Sequence, residues 1–188
     1  MRHRCLFVLA SALALVPSQV AAEVTASGDT GFVSHSEVLV RASPAEAWAV
    51  LVTPAEWWNG DHTYSGDPAN MTLVPEVGGC FCEAIPGEDG QPAGEVEHMR
   101  PIYVVPGSTL RLVGALGPLQ SEAVTGVLTI TLGLEGDMTR ITWDYVVGGY
   151  MRQPIGEMAP LVDRVVGEQL LRLAARLGVI MDPAARRF

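Results

Sequence analysis

The sequence predicts an α+β domain in which a curved antiparallel sheet of about six to seven strands wraps around one long C-terminal helix. Three observations predict it. Two helix starts stand back to back after the first strand signal, at Ser43-Pro-Ala-Glu46 and Thr53-Pro-Ala-Glu56. Strand signals then follow almost without pause, closing on two alternating segments joined by Glu135-Gly-Asp137. One amphipathic stretch, from about Gly156 to Leu177, ends the pattern.

Each element has a local reason. Phe32 to Val40 reads as the first strand, with clear alternation from Glu37 to Arg41. Ser43 and Glu46 form a capping box with Pro44 at the first helical position, and Thr53, Pro54 and Glu56 repeat the arrangement. Pro54 also drives Thr53 out of helical geometry, so the first helix stops there. Asn59 to Pro68 is a loop by composition, and Trp57 and Trp58 stand at its entrance. Met71–Pro75 and Cys80–Ile85 flank the hairpin signal Glu76-Val-Gly-Gly79, and Gly87–Gly94 is a second turn. Glu95–Val105 is a strand interrupted by Pro101, which places it at an edge or a bulge. Pro106-Gly107 then turns the chain into Thr109–Val113.

The next two strands carry the clearest period of two. Val124, Gly126, Leu128, Ile130 and Leu132 alternate with threonines and Val127, and Ile141, Trp143, Tyr145 and Val147 alternate with Arg140, Thr142, Asp144 and Val146. One wet face implies a sheet covered on one side only. The cover is the final helix, where Val162, Val166, Leu170, Leu173 and Leu177 form an apolar stripe while Asp163, Arg164, Glu168 and Arg172 fall on other faces. Gly178 suits the left-handed position after its end.

Met1-Arg-His-Arg4, the apolar run Cys5–Val16 and the small residues Val20-Ala21-Ala22 read together as a secretory signal peptide spanning 1–22. The run is short for a bilayer span, so no stable membrane insertion is expected after cleavage. The expected organisation is a flexible leader at 23–31, one domain at 32–180 and a flexible tail at 181–188, in the periplasm or outside the cell. The whole chain has 12 basic and 21 acidic residues. Every basic residue is arginine. The acidic balance and the lack of a basic stripe argue against nucleic acid as a partner. The lack of lysine excludes Schiff-base chemistry and a P-loop lysine. No cofactor is indicated.

The phrase Trp57-Trp58-Asn-Gly-Asp-His-Thr-Tyr-Ser65, followed by Gly78-Gly79-Cys-Phe-Cys-Glu83, resembles the START-like (SRPBCC) superfamily with its helix-grip fold. The similarity runs from about Phe32 to Leu177 and is nearest the branch of bacterial homologues of the activator of the heat-shock chaperone ATPase. The resemblance implies an elongated apolar pocket between sheet and helix. Gly126 and Gly167 remove side-chain volume where those layers meet, which fits either a cavity or close backbone packing. The implied wall is Leu112, Leu128, Ile130, Trp143 and Tyr145 from the sheet, with Met158, Val162 and Val166 from the helix. Trp58, His62 and Tyr64 would stand at the mouth.

The function this implies is binding of a small apolar or aromatic molecule. The second reading is a polyketide cyclase or hydratase type of enzyme, with His62 or Tyr64 moving protons in the same pocket and Asp61 orienting His62. The third is a protein-interaction module of the chaperone-activator type, its partner unknown. Cys80 and Cys82 lie two apart in a strand on one face, compatible with an intrachain disulfide or with two free buried thiols. With His98, expected nearly opposite Cys82, they also suggest a metal site or a Cys–His nucleophile, though C-x-C lacks the turn spacing of familiar zinc sites.

Overall fold

The computed structural model describes residues 21–87 and 93–178. The expected signal peptide, except its last two residues, and the expected tail lie outside them.

Among the described residues, the strands join one antiparallel sheet of eight, in the order β1-β2-β8-β7-β6-β5-β4-β3. They are β1 (Ala21–Gly28), β2 (Gly31–Val40), β3 (Met71–Leu73), β4 (Phe81–Ile85), β5 (Gly94–Val105), β6 (Thr109–Gly114), β7 (Ala123–Glu135) and β8 (Met138–Tyr150). The helices are α1 (Pro44–Leu51) and α2 (Ile155–Arg176). Between α1 and β3 the chain makes three short 3₁₀ turns, Pro54–Glu56, Gly60–His62 and Pro68–Asn70. A fourth, Gly117–Ser121, links β6 to β7.

The sheet exceeds the expected count because residues 21–28 are not a loose leader. They form β1 and pair with β2, Ala22 opposite Ser36 and Ser27 opposite Phe32. The segment's polar residues gave no apolar alternation, yet an edge strand needs only backbone pairing on one side.

The first capping box forms as the sequence predicts: Ser43 Oγ accepts from Glu46 N at 3.3 Å, and Ser43 N donates to Glu46 Oε2 at 2.8 Å. The second does not. Thr53 caps nothing and donates its hydroxyl to Ala49 O at 3.1 Å, and the segment after it is a single 3₁₀ turn. What holds that turn is burial of both tryptophans. Trp57 Nε1 donates to Val50 O at 2.9 Å, and the Trp57 ring meets Trp143 edge-on with centroids 5.9 Å apart.

The core lies between the inner sheet face and α2. Leu128, Ile130, Trp143 and Tyr145 of β7 and β8 share one buried cluster with Val166, Leu170 and Leu173 of α2, and the helix approaches the sheet most closely at β1 and β2. Gly178, with φ of 72°, ends α2 in the left-handed region, and its carbonyl accepts from Arg41 N at 3.3 Å. Asp163 departs from the expected outer face: it is only 8% exposed and accepts a 2.6 Å hydrogen bond from Ser34 Oγ. That bond ties α2 to β2 through a carboxyl oxygen shielded from water.

Gly126 and Gly167 prove to be sites of close packing. A Cβ on Gly126 would enter the ring of Tyr145, and one on Gly167 would meet the Ala22 methyl of β1 at 2.6 Å. Pro101 occupies a bulge, where the register between β5 and β6 shifts past Ile102, and it lies beyond the last β4 partner of β5. Both expected explanations for that proline hold together.

Candidate functional site

A cavity of about 470 Å³ remains between α2, the loop around Trp58–Tyr64, the His98 bulge and the Leu116–Pro118 segment. The loop is placed by helix side chains. Asn59 Nδ2 donates to Glu168 Oε1 at 2.6 Å, Asn59 N donates to Gln169 Oε1 at 2.9 Å, and Arg172 Nε donates to Trp57 O at 3.2 Å. Inside the loop, Trp58 Nε1 donates to His62 O at 3.0 Å. These bonds attach the start of the aromatic segment to α2, so the gap between the layers is closed at one end by a strapped loop.

Of the residues expected around the pocket, Trp58, His62, Tyr64, Trp143, Met158, Val162 and Val166 line it. Leu112, Leu128, Ile130 and Tyr145 do not. They are buried in the packed core, and Tyr145 fills the space that Gly126 vacates. Its hydroxyl accepts from Leu116 N at 3.2 Å, which holds the segment forming the far wall. Burial, opposed by that hydrogen bond, pushes the phenol up to about 12, so it stays neutral.

Asp61 does not orient His62. The imidazole Nε2 faces Glu168 Oε2 at 3.3 Å, while Asp61 is exposed at the rim. Tyr64 is half exposed, and its hydroxyl donates to Gly117 O at 3.0 Å, bridging the two loops across the mouth.

The polar group that the sequence did not reveal as a unit is Glu83 with His98. Phe81 pairs with Met99 and Cys82 with Glu97, so His98 is the extra residue of a β-bulge. Two successive residues of β5, His98 and Met99, therefore both point inward. Cys82 faces away from His98, and Cys80 and Cys82 are joined as a disulfide with Cα atoms 5.4 Å apart. The cysteines and His98 thus converge on neither a metal nor a Cys–His pair; among the described residues no cluster of His, Cys, Asp and Glu has the geometry to hold a metal ion.

His98 Nε2 lies 3.0 Å from Glu83 Oε2, at 3% and 0% side-chain exposure. The same carboxylate accepts from Tyr64 N at 3.0 Å and from Ser65 N. Burial pushes the Glu83 carboxyl up, but these donors outweigh it and hold it below the usual carboxylate range. Burial holds the His98 imidazole down, against the opposing pull of Glu83. The pair is a carboxylate and a neutral imidazole, the Nε2 proton on the bond to Glu83. His98 lines the cavity; its ring is flanked by Phe81 and Tyr64, with centroids at 5.3 and 5.9 Å.

Among the described residues no arginine lines the cavity, and the chain has no lysine. Trp143 Nε1 and Gln169 Nε2, on two lining residues, are buried donors with no acceptor among the described residues. The cavity is therefore an apolar, aromatic-walled space with a few fixed polar groups, the general form of a small-molecule site.

No protein-family model and no curated protein matches the chain. Among solved structures, a protein of Rhodobacter sphaeroides superposes with a TM-score of 0.57 at 17% identity, over 89% of this chain and 100% of its own. One from Rhizobium loti gives 0.54 at 22% identity, over 77% and 99%. The Aha1 dimer from Colwellia psychrerythraea gives 0.50 at 14% identity, over 77% and 95%. With the single antiparallel sheet closing on a long C-terminal helix, these likenesses establish that the chain has the helix-grip fold.

Proposed function

We propose that the chain binds a small apolar or aromatic molecule in the cavity between the sheet and α2. The observation that carries this reading is a space of about 470 Å³ walled by Trp58, Trp143, Met158, Val162 and Val166 in a domain otherwise packed tightly enough for Gly126 and Gly167 to be needed. Leaving such a space open forgoes packing that a filled core would supply. Two lining tryptophans make the test direct. Titration with panels of aromatic compounds, sterols and lipids should shift the emission, and native mass spectrometry should detect the adduct. No spectral change and no adduct across the panels would remove the reading.

The enzymatic alternative gains support from one feature, the Glu83–His98 pair, in which a buried carboxylate orients an imidazole beside the cavity. Proton transfer would then rest on His98 rather than on His62, whose Nε2 faces Glu168. Full turnover by a His98→Gln variant on an identified substrate would remove that role. The basic, apolar and small-residue start supports export to the periplasm or beyond, which intact-mass analysis of the exported protein tests at Ala22. Such cleavage would leave Glu23–Gly28 of β1 paired with β2. With a formal charge of −9 we propose no nucleic-acid partner.

A further inference from the structure

We infer that the ligand is a neutral phenol whose hydroxyl donates a hydrogen bond to Nδ1 of His98. The inference rests on the binding reading above and names the chemistry of the guest.

His98 has one ring nitrogen committed. Nε2 meets a carboxylate that already accepts from two backbone N–H groups, so the only complementary tautomer carries its proton on Nε2. Nδ1 is then a lone-pair acceptor, with no hydrogen bond to any described residue. The carboxylate behind the ring makes that lone pair more basic, as it does for carboxylate-backed histidines that bind metals. A guest that answers Nδ1 must bring an O–H or N–H donor.

The rest of the wall narrows the class. An anion would find no arginine among the described lining residues, and it would approach Asp61, Glu168 and Glu83 instead. Carboxylates, sulfates and phosphates are therefore disfavoured by charge. The rings of Trp58, Trp143 and Tyr64 favour an aromatic body. An oxygen that donates to Nδ1 retains acceptor lone pairs, which Trp143 Nε1 and Gln169 Nε2 lack among the described residues. A hydroxyl on an aromatic ring meets all these conditions; an ether or an ester lacks the donor.

Equilibrium dialysis at neutral pH, with naphthol, its methyl ether and naphthoate as probes, tests the inference on the unmodified protein. Naphthol should bind about tenfold more tightly than the ether, the scale of one buried hydrogen bond, and naphthoate most weakly. His98→Phe keeps a ring at the wall and removes the Nδ1 acceptor, while Glu83 keeps its two backbone donors. It should abolish the preference for naphthol over the ether. Equal binding of naphthol and ether by the unmodified protein would overturn the phenol assignment and leave the apolar-ligand reading standing. Tightest binding of naphthoate would overturn neutrality. A naphthol preference that survives in His98→Phe would remove His98 as its acceptor. Failure of all three probes to bind would count against the binding reading itself and carry this inference with it. If His98→Phe does not fold, the naphthol-to-ether ratio of the unmodified protein decides alone.

Discussion

Removing the Glu83 carboxylate is the most informative perturbation of the fold around the cavity. Glu83 is fully buried and serves three donors: Tyr64 N, Ser65 N and His98 Nε2. Glu83→Ala leaves all three without an acceptor. Each stranded buried donor costs about 1–3 kcal/mol. Tyr64 is half exposed, so part of the loop can turn to water, which brings the expected loss to about 3–5 kcal/mol, the range for breaking a buried charged network from one side. Glu83→Gln keeps one oxygen for Tyr64 and His98 and sets an amide against Ser65 N–H, so about 1–3 kcal/mol should be lost. Urea unfolding followed by tryptophan emission measures both.

The same pair fixes a pH dependence. The Glu83 carboxyl sits below its ordinary 4.5 in the folded state, so its contribution is complete above that value and is lost as pH falls through the depressed folded value. The His98 imidazole is held below its ordinary 6.5, so the unfolded chain takes up its proton first and stability declines as pH falls below that point. Both trends run in one direction, and Glu83→Gln should flatten the lower part of the curve. A Glu83→Ala protein within about 0.5 kcal/mol of the unmodified one would refute the reasoning, since that is the scale of a neutral surface change.

Three further outcomes follow from named contacts. Gly126→Ala should cost about 1–3 kcal/mol in denaturant unfolding, because its methyl would displace the buried Tyr145 ring. Gly167→Ala should show no gain in a chain that retains Ala22, whose methyl occupies that space, and should stabilise a chain beginning at Glu23 by about 1 kcal/mol through helix propensity, as measured by thermal unfolding of the two forms. Tyr145 should resist ionisation until about 12 in an ultraviolet alkaline titration, with the stability it contributes complete below 10.0, its ordinary value, and lost between the two.

Local pattern alone determined most of the architecture. The alternation in β7 and β8, the stripe on α2, the Ser43–Glu46 cap and Gly178 are all set by neighbours within a few residues, so their physics is readable along the chain. The loop and helix side of the cavity was legible for the same reason: Trp58, His62 and Tyr64 share one segment, and Met158, Val162 and Val166 share one helical face. Tertiary structure decided the rest. β1 is held by pairing with β2, which polar composition does not announce. Thr53 turns its hydroxyl back to Ala49 O instead of capping, while Trp57 packs on Trp143 and Trp58 on Phe81, contacts that no local pattern announces. The Glu83–His98 pair depends on a single extra residue in β5, and a shift of one residue exchanges the faces of a strand, so period-two reading placed His98 opposite Cys82 when the bulge turned it to Glu83. Whether Gly126 and Gly167 open a space or close one is likewise a property of what stands across from them, Tyr145 and Ala22, and no residue's own identity contains that information.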